Sequence, residues 1–320
     1  MRDAKISRRV RRSNAIAAAV VVAGAALHGC ACCGASHAVN ADASANAGAR
    51  AGADARARAG VATSAAPAAD PAAPSWSASP ADAEQALAGW NAQHAQISER
   101  VRSILLARLG TPYVLGSLGE GRGASPDSDP VFRLDEVDCT VLVLTTAALA
   151  HARTLAEAER NMALANYREV LGERQVTYGT RLHFTEDRLD ASPYFRNITA
   201  SVVPESLLAA RQITLNEKQS GEKLLPIEWT RPITLRYLPA SRATAALLAT
   251  LPPVTGVAFI KESYFKNGLA AAHEGVILDG ADLVHASSEA KKVVRVPFLD
   301  YLRRSDGSFR FDGLVFYEFR

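Results

Sequence analysis

The chain has 320 residues, with 36 Lys and Arg against 33 Asp and Glu. Residues 1–40 hold six of the bases (Arg2, Lys5, Arg8, Arg9, Arg11, Arg12) and one acid (Asp3), which leaves 30 bases against 32 acids in the remainder. That remainder is near neutral, so the overall basic balance gives no ground for a nucleic-acid partner, and with no internal repeat the chain downstream of a leader and tether, about 240 residues, suffices for one good-sized core.

The six bases precede an apolar stretch from Ala15 to Leu27, too short for a permanent membrane span and of the length of a signal h-region. It runs into Leu27-His28-Gly29-Cys30, which resembles the lipobox of bacterial lipoproteins. Residues 1–29 are therefore expected to be a signal peptide, with Cys30 as the lipid-bearing N-terminus and a membrane partner through that lipid; the alternative is plain cleavage near Ala35 to Ala38. Residues 30–78, rich in Ala, Ser, Asp, Gly and Pro from Val39 onward, cannot bury enough surface to offset their ordering entropy and are expected to form a flexible tether with a reach of roughly 35 to 40 Å. The leader and leash predict an exported protein, an outer-membrane lipoprotein facing the periplasm or otherwise soluble there.

The folded domain is placed at 79–320. Ser79-Pro80-Ala81-Asp82 opens a helix towards Gln93. A second helix carries Ile97, Val101, Ile104, Leu105 and Leu109 at helical spacing and stops at Gly110-Thr111-Pro112. The Gly-rich stretch 116–123 reads as a loop; it lacks the Lys and the spacing of a phosphate-binding loop. A helix over 139–151, apolar nearly all round, is expected to be buried, and another spans Thr154 to Tyr167. The pattern then turns to strands at 233–237, 256–260, 274–278, 282–285, 293–296 and 309–319, with Asp279-Gly280-Ala281 as a hairpin turn. Helices first and strands later predict an α+β fold, helices packed on one side of an antiparallel β-sheet.

Downstream of residue 33 the chain has one cysteine, Cys139. An unpaired thiol in an exported protein is either an inert buried residue or a nucleophile, and a place in the first turn of a helix favours the thiolate, which predicts a pKa below the free value of about 8.5. Asp138 before it reads as a helix N-cap rather than an acid catalyst. His273 and His285 fall on strands joined by the Asp279-Gly280-Ala281 turn, so the two side chains can meet, one ring fixing the tautomer of the other; taken alone, such a pair is also a common half-buried polar feature of a sheet.

Gly110-Thr111-Pro112-Tyr113, Asp138-Cys139-Thr140, His273-Glu274-Gly275-Val276 and Val284-His285-Ala286-Ser287 follow, in order, the pattern of the NlpC-like papain-fold cell-wall cysteine hydrolases. Within that superfamily the chain resembles the larger N-acetylmuramoyl-L-alanine amidase-like branch, sharing Arg181-Leu182-His183-Phe184, Lys292-Val293-Val294 and Asp300-Tyr301-Leu302. The resemblance implies a papain-like (NlpC-type) fold, with Cys139 as nucleophile, His273 as general base and acid, and His285 orienting His273. It implies a substrate-binding role for Tyr113, whose bland reading is a turn aromatic in the core. Arg181 and His183 are either a surface ion pair or, functionally, a clamp for a peptide carboxylate and a wall of the cleft. Two residues depart from the pattern: Glu274, where an aliphatic residue usually follows the histidine, and Arg188, where an aromatic is common after Asp187.

No cofactor is implied. The ligand-type side chains Cys139, His183, His273 and His285 lack zinc spacing, so no metal is expected. The expected function is a cysteine hydrolase acting on peptidoglycan or muropeptides, cleaving N-acetylmuramoyl-L-alanine. The alternatives are a D-glutamyl-diaminopimelate endopeptidase or an acyltransferase with the same chemistry, or a non-catalytic wall-binding lipoprotein.

Overall fold

The computed structural model describes residues 80–320; the expected signal peptide, Cys30 and the tether lie outside them. Four helices come first: α1 (Pro80–Gln93), α2 (Ile97–Ala107), α3 (Cys139–Ala150) and α4 (Leu155–Asn166). Helix α2 stops two residues sooner than its apolar spacing suggests. Arg108 closes it, and Leu109, no longer on the helix, is exposed. Asp138 caps α3 by accepting from the Val141 N–H, and Thr154 caps α4 through Glu157. The short helix α5 (Thr185–Ala191) follows.

Eight strands form one sheet: β1 (Phe195–Asn197), β2 (Ala209–Leu215), β3 (Arg231–Pro239), β4 (Val254–Ile260), β5 (Ala271–Leu278), β6 (Asp282–Ser287), β7 (Lys292–Pro297) and β8 (Gly313–Phe319). The spatial order is β2-β3-β8-β4-β5-β6-β7, with β1 on β8, and the pairings are antiparallel. This is the α+β arrangement that helices followed by strands imply. Asp279 and Gly280, both left-handed, make the β5–β6 turn, closed by the Ala281 N–H on the Leu278 carbonyl at 3.0 Å.

Both faces of the sheet are covered, each by a different device. On one face α3, buried on all sides from Val141 to Ala150, lies against β5 and β6 and packs on Val276, Leu278, Val284 and Ala286. An all-apolar helix must be enclosed to be stable in water, and α2 and α4 flank it. On the other face, expected to be free of helices, short helical turns at Thr199–Val202, Ala245–Leu248 and Phe298–Tyr301 cover a second core of Leu238, Val257, Phe259, Ile277, Leu283 and Phe316. Along β5 the residues alternate between these two cores, as the two-residue period of a strand requires.

Candidate active site

Cys139 is the first residue of α3 and half-buried. Asp138 fixes it from two directions: one carboxylate oxygen accepts the Val141 N–H at 2.8 Å and the other the Gly116 N–H at 2.9 Å, so the cap also holds the start of the Gly-rich loop. Tyr113 forms a backbone bridge with Val137, two residues before the thiol, and its half-buried ring packs against the core, where its turn-aromatic reading puts it.

Strand β5 stays paired with β4 through His273, but its ladder with β6 runs only over Val276–Leu278 against Asp282–Val284. Beyond that point the strands part. The Thr140 hydroxyl, next to Cys139, donates to the Glu274 carboxylate at 3.2 Å, so the start of α3 is tied to the residue that follows His273. His273 Nε2 and His285 Nδ1 lie 2.8 Å apart with their rings nearly perpendicular, both buried among Phe259, Tyr301 and Phe311. A side chain at Gly275 would meet the His285 Cβ at 3.0 Å, so a glycine is needed for the second ring to approach the first. Among the described residues neither ring is hydrogen-bonded to the thiol. The three residues are assembled through the backbone of β5.

The electrostatics differ from the low thiol pKa that the helix terminus suggests. Burial, then the carboxylates of Asp138 and Glu274, push the Cys139 thiol up to about 12. A helix N-terminus supplies only about 0.3–1 kcal/mol, less than the roughly 1.4 kcal/mol of a single pH unit, so desolvation and like charge win. Burial also pulls His273 down to about 3; His285 falls to about 2 through burial, the charge of His273 and Arg310. At neutral pH the resting set is a thiol and two neutral imidazoles.

Arg181 takes a place other than that of a substrate clamp. Its guanidinium meets Glu120 at 2.6 Å and Asp127 at 2.9 Å, both from the loop after α2, and it lies over the Tyr178 ring. These carboxylates occupy the positions a peptide carboxylate would take, so Arg181 holds the Gly-rich loop down. His183 is half-buried, its Nε2 2.8 Å from the Tyr178 carbonyl oxygen. Sequence reasoning missed Phe311, gave Thr140 no role beyond its place in the motif and marked Arg188 only as a departure from the family pattern; Tyr301, 4.4 Å from His285 between ring centroids, was signalled by the shared Asp300-Tyr301-Leu302. Glu274 itself stays in register with Ala258, turns to the α3 face and pairs there with Arg188; the register shift between β4 and β5 falls on the other side of His273, between Phe259↔His273 and Ile260↔Ala271.

Among solved structures the chain is similar to a protein of Legionella pneumophila str. Philadelphia 1 assigned to DUF1460, with a TM-score of 0.61 and 21% identity over 75% of this chain and 93% of that one. It is also similar to an N-acetylmuramoyl-L-alanine amidase of Bacteroides uniformis, with a TM-score of 0.55 and 23% identity over 71% of this chain and 100% of that one. At these identities the likeness establishes the fold. No curated protein sequence matches. The model of the AmiA-like family, described as N-acetylmuramoyl-L-alanine amidase-like, matches residues 104–308, which include the thiol, both rings and most of the sheet, and on that match the chain belongs to this family.

Proposed function

We propose that the protein is a papain-like cysteine amidase that cleaves the bond between the lactyl group of N-acetylmuramic acid and L-alanine. The observation that carries this reading is the His273–His285 contact at 2.8 Å, built on the strand whose next residue, Glu274, accepts the hydroxyl of Thr140, the neighbour of Cys139, at 3.2 Å. With His273 Nε2 engaged by His285, Nδ1 of His273 is the nitrogen left to take the thiol proton. Because thiol and ring rest neutral, proton transfer accompanies attack: the sulfur bonds to the amide carbon as His273 takes its proton, and the oxyanion is met by the backbone N–H of Cys139. Collapse breaks the C–N bond and the amine leaves with the proton from His273. Water, deprotonated by the same ring, then splits the thioester and restores the thiol.

Purified protein incubated with muropeptides and followed by mass spectrometry tests the reading. The expected products are a disaccharide with a free lactyl carboxylate and a peptide with a free L-alanine amine; cleavage after D-glutamate instead would make the protein an endopeptidase. Export and anchoring through Cys30 belong to the same proposal, with intact wall or released muropeptides as the partner. Cys30→Ala is expected to move the protein from the membrane fraction to the periplasm or to leave the precursor uncleaved, without changing its turnover, and membrane retention of a cleaved Cys30→Ala protein would reject the lipid anchor.

A further inference from the structure

Four elements converge on one buried carboxylate beside the thiol. Glu274 and Arg188 are 2% and 1% exposed and form an ion pair between β5 and α5. The same carboxylate accepts the hydroxyls of Thr185 at 2.7 Å, Thr140 at 3.2 Å and Tyr317 at 3.2 Å. Thr140 follows the nucleophile on α3, Glu274 follows His273 on β5, and Tyr317 reaches in from β8. Tyr317 lies flat across Gly256, where an added Cβ would come within 2.0 Å of its ring. The Arg188 guanidinium stacks on Phe195 at 5.4 Å.

A buried ion pair is weak evidence for stability, because desolvation of the two charges offsets most of their attraction. Its location is the informative feature. We infer that Glu274, held by Arg188, is a positioning residue: it locks the first turn of α3 to the strand of His273 and keeps a negative charge beside the sulfur. The inference rests on Cys139 being the nucleophile. The charged and titratable groups that act on the sulfur are Asp138 at the cap of α3, Glu274 on β5 and Tyr317 on β8; Glu186 and Arg188 on α5 stand behind Glu274, and the His273–His285 pair is carried by β5 and β6. Of these, Asp138 and Glu274 push the thiol up, and Glu274 is the one held by a buried cation.

The test is the pH–rate profile of iodoacetamide labelling of Cys139 in the full-length chain, read from its own peptide by mass spectrometry. Glu274→Gln keeps the shape and removes the charge; its profile is expected to move about one pH unit lower, about tenfold more thiolate at a fixed pH. Thr140→Ala cuts the tie between helix and strand and leaves the charge, so kcat for amide hydrolysis is expected to fall with KM held, while the labelling profile does not move lower. A Glu274→Gln profile superimposed on that of the parent overturns the inference, as does a Thr140→Ala enzyme with unchanged kcat. If Glu274→Gln alone does not fold, the neutral pair Arg188→Met with Glu274→Gln is measured by the same criterion. The labelling arm needs no turnover, so its outcome is distinguishable from failure of the amidase reading, which would show as a parent protein that leaves muropeptides intact, and full activity in Cys139→Ser would remove the nucleophile on which the inference rests.

Discussion

Acidification from pH 7 to pH 5 sets two groups of buried residues against each other. His273 and His285 are neutral in the folded chain, pulled down to about 3 and about 2, chiefly by burial. The unfolded chain takes up a proton on each ring as pH falls through about 6.5 and the folded chain does not. The stability these rings contribute is thus present above that pH and lost below it, by about 2 kcal/mol per ring at pH 5. Glu186 acts in the opposite sense: burial raises its carboxyl to about 7, so between about 4.5 and 7 the folded chain holds a proton that the unfolded chain has released, and acidification to pH 5 adds about 2 kcal/mol. For these three groups the parent is expected to lose about 2 kcal/mol from pH 7 to pH 5, and Glu186→Gln, without the offset, about 4. Urea unfolding followed by the fluorescence of Trp90 and Trp229 at the two pH values reads both. Equal losses in parent and variant would refute the assignment to Glu186, and a variant with the same urea midpoint at both pH values would refute two neutral buried rings.

Cys139→Ser and His273→Ala are each expected to lower kcat by about a thousandfold or more with the fold intact, and His285→Ala by less, because it removes the orienting contact and leaves the base; steady-state turnover of muropeptides checks all three. Iodoacetamide is expected to label Cys139 in the resting protein at pH 7 more slowly than a free cysteine, and labelling at the free-thiol rate would contradict the neutral resting pair. Arg181→Ala strands the buried Glu120 and frees Asp127, so it is expected to cost about 2–4 kcal/mol in urea unfolding; an unchanged midpoint with a raised KM would return Arg181 to a substrate clamp.

Helices α3 and α4 were legible because their starts are signalled locally: Asp138 and Thr154 cap them through the Val141 and Glu157 N–H groups, whereas α2, begun at Gln96 without a side-chain cap, was legible from its apolar spacing alone. The hairpin of β5 and β6 was legible from Asp279-Gly280 and two alternating runs. Strand β2 was missed because its exposed first half, Ala209-Ala210-Arg211-Gln212, shows no apolar alternation, and α5 because seven residues are too few for a helical period to register. At the site, what failed was non-local. The helix-terminus argument for Cys139 is correct for α3 in isolation, but burial imposed by the fold, then Asp138, read in the sequence only as a cap, and Glu274, remote in sequence, push the thiol up. Arg181 looked available because nothing in its own segment announces that Glu120 and Asp127 fold back onto it.

The two departures from the family pattern, Glu274 for an aliphatic residue and Arg188 for an aromatic one, read singly as defects, since each puts a charge where an apolar side chain is usual. In the fold they are one ion pair, with both members buried. The exchange of an apolar pair for a charged pair predicts strong coupling. Glu274→Leu alone leaves the Arg188 guanidinium buried without its counter-ion, and Arg188→Phe alone leaves the carboxylate so; each is expected to cost about 3–5 kcal/mol. The double variant removes both charges together and restores an apolar contact between α5 and β5, so its loss should be well below the sum of the two, giving a coupling energy of at least about 2 kcal/mol. Urea midpoints of the four proteins close the cycle. Additive losses would mean that the two side chains meet without compensating each other. Strong coupling with amidase turnover lost only in variants lacking the carboxylate would assign the pair's stability to mutual neutralisation and its retention to the thiol beside it.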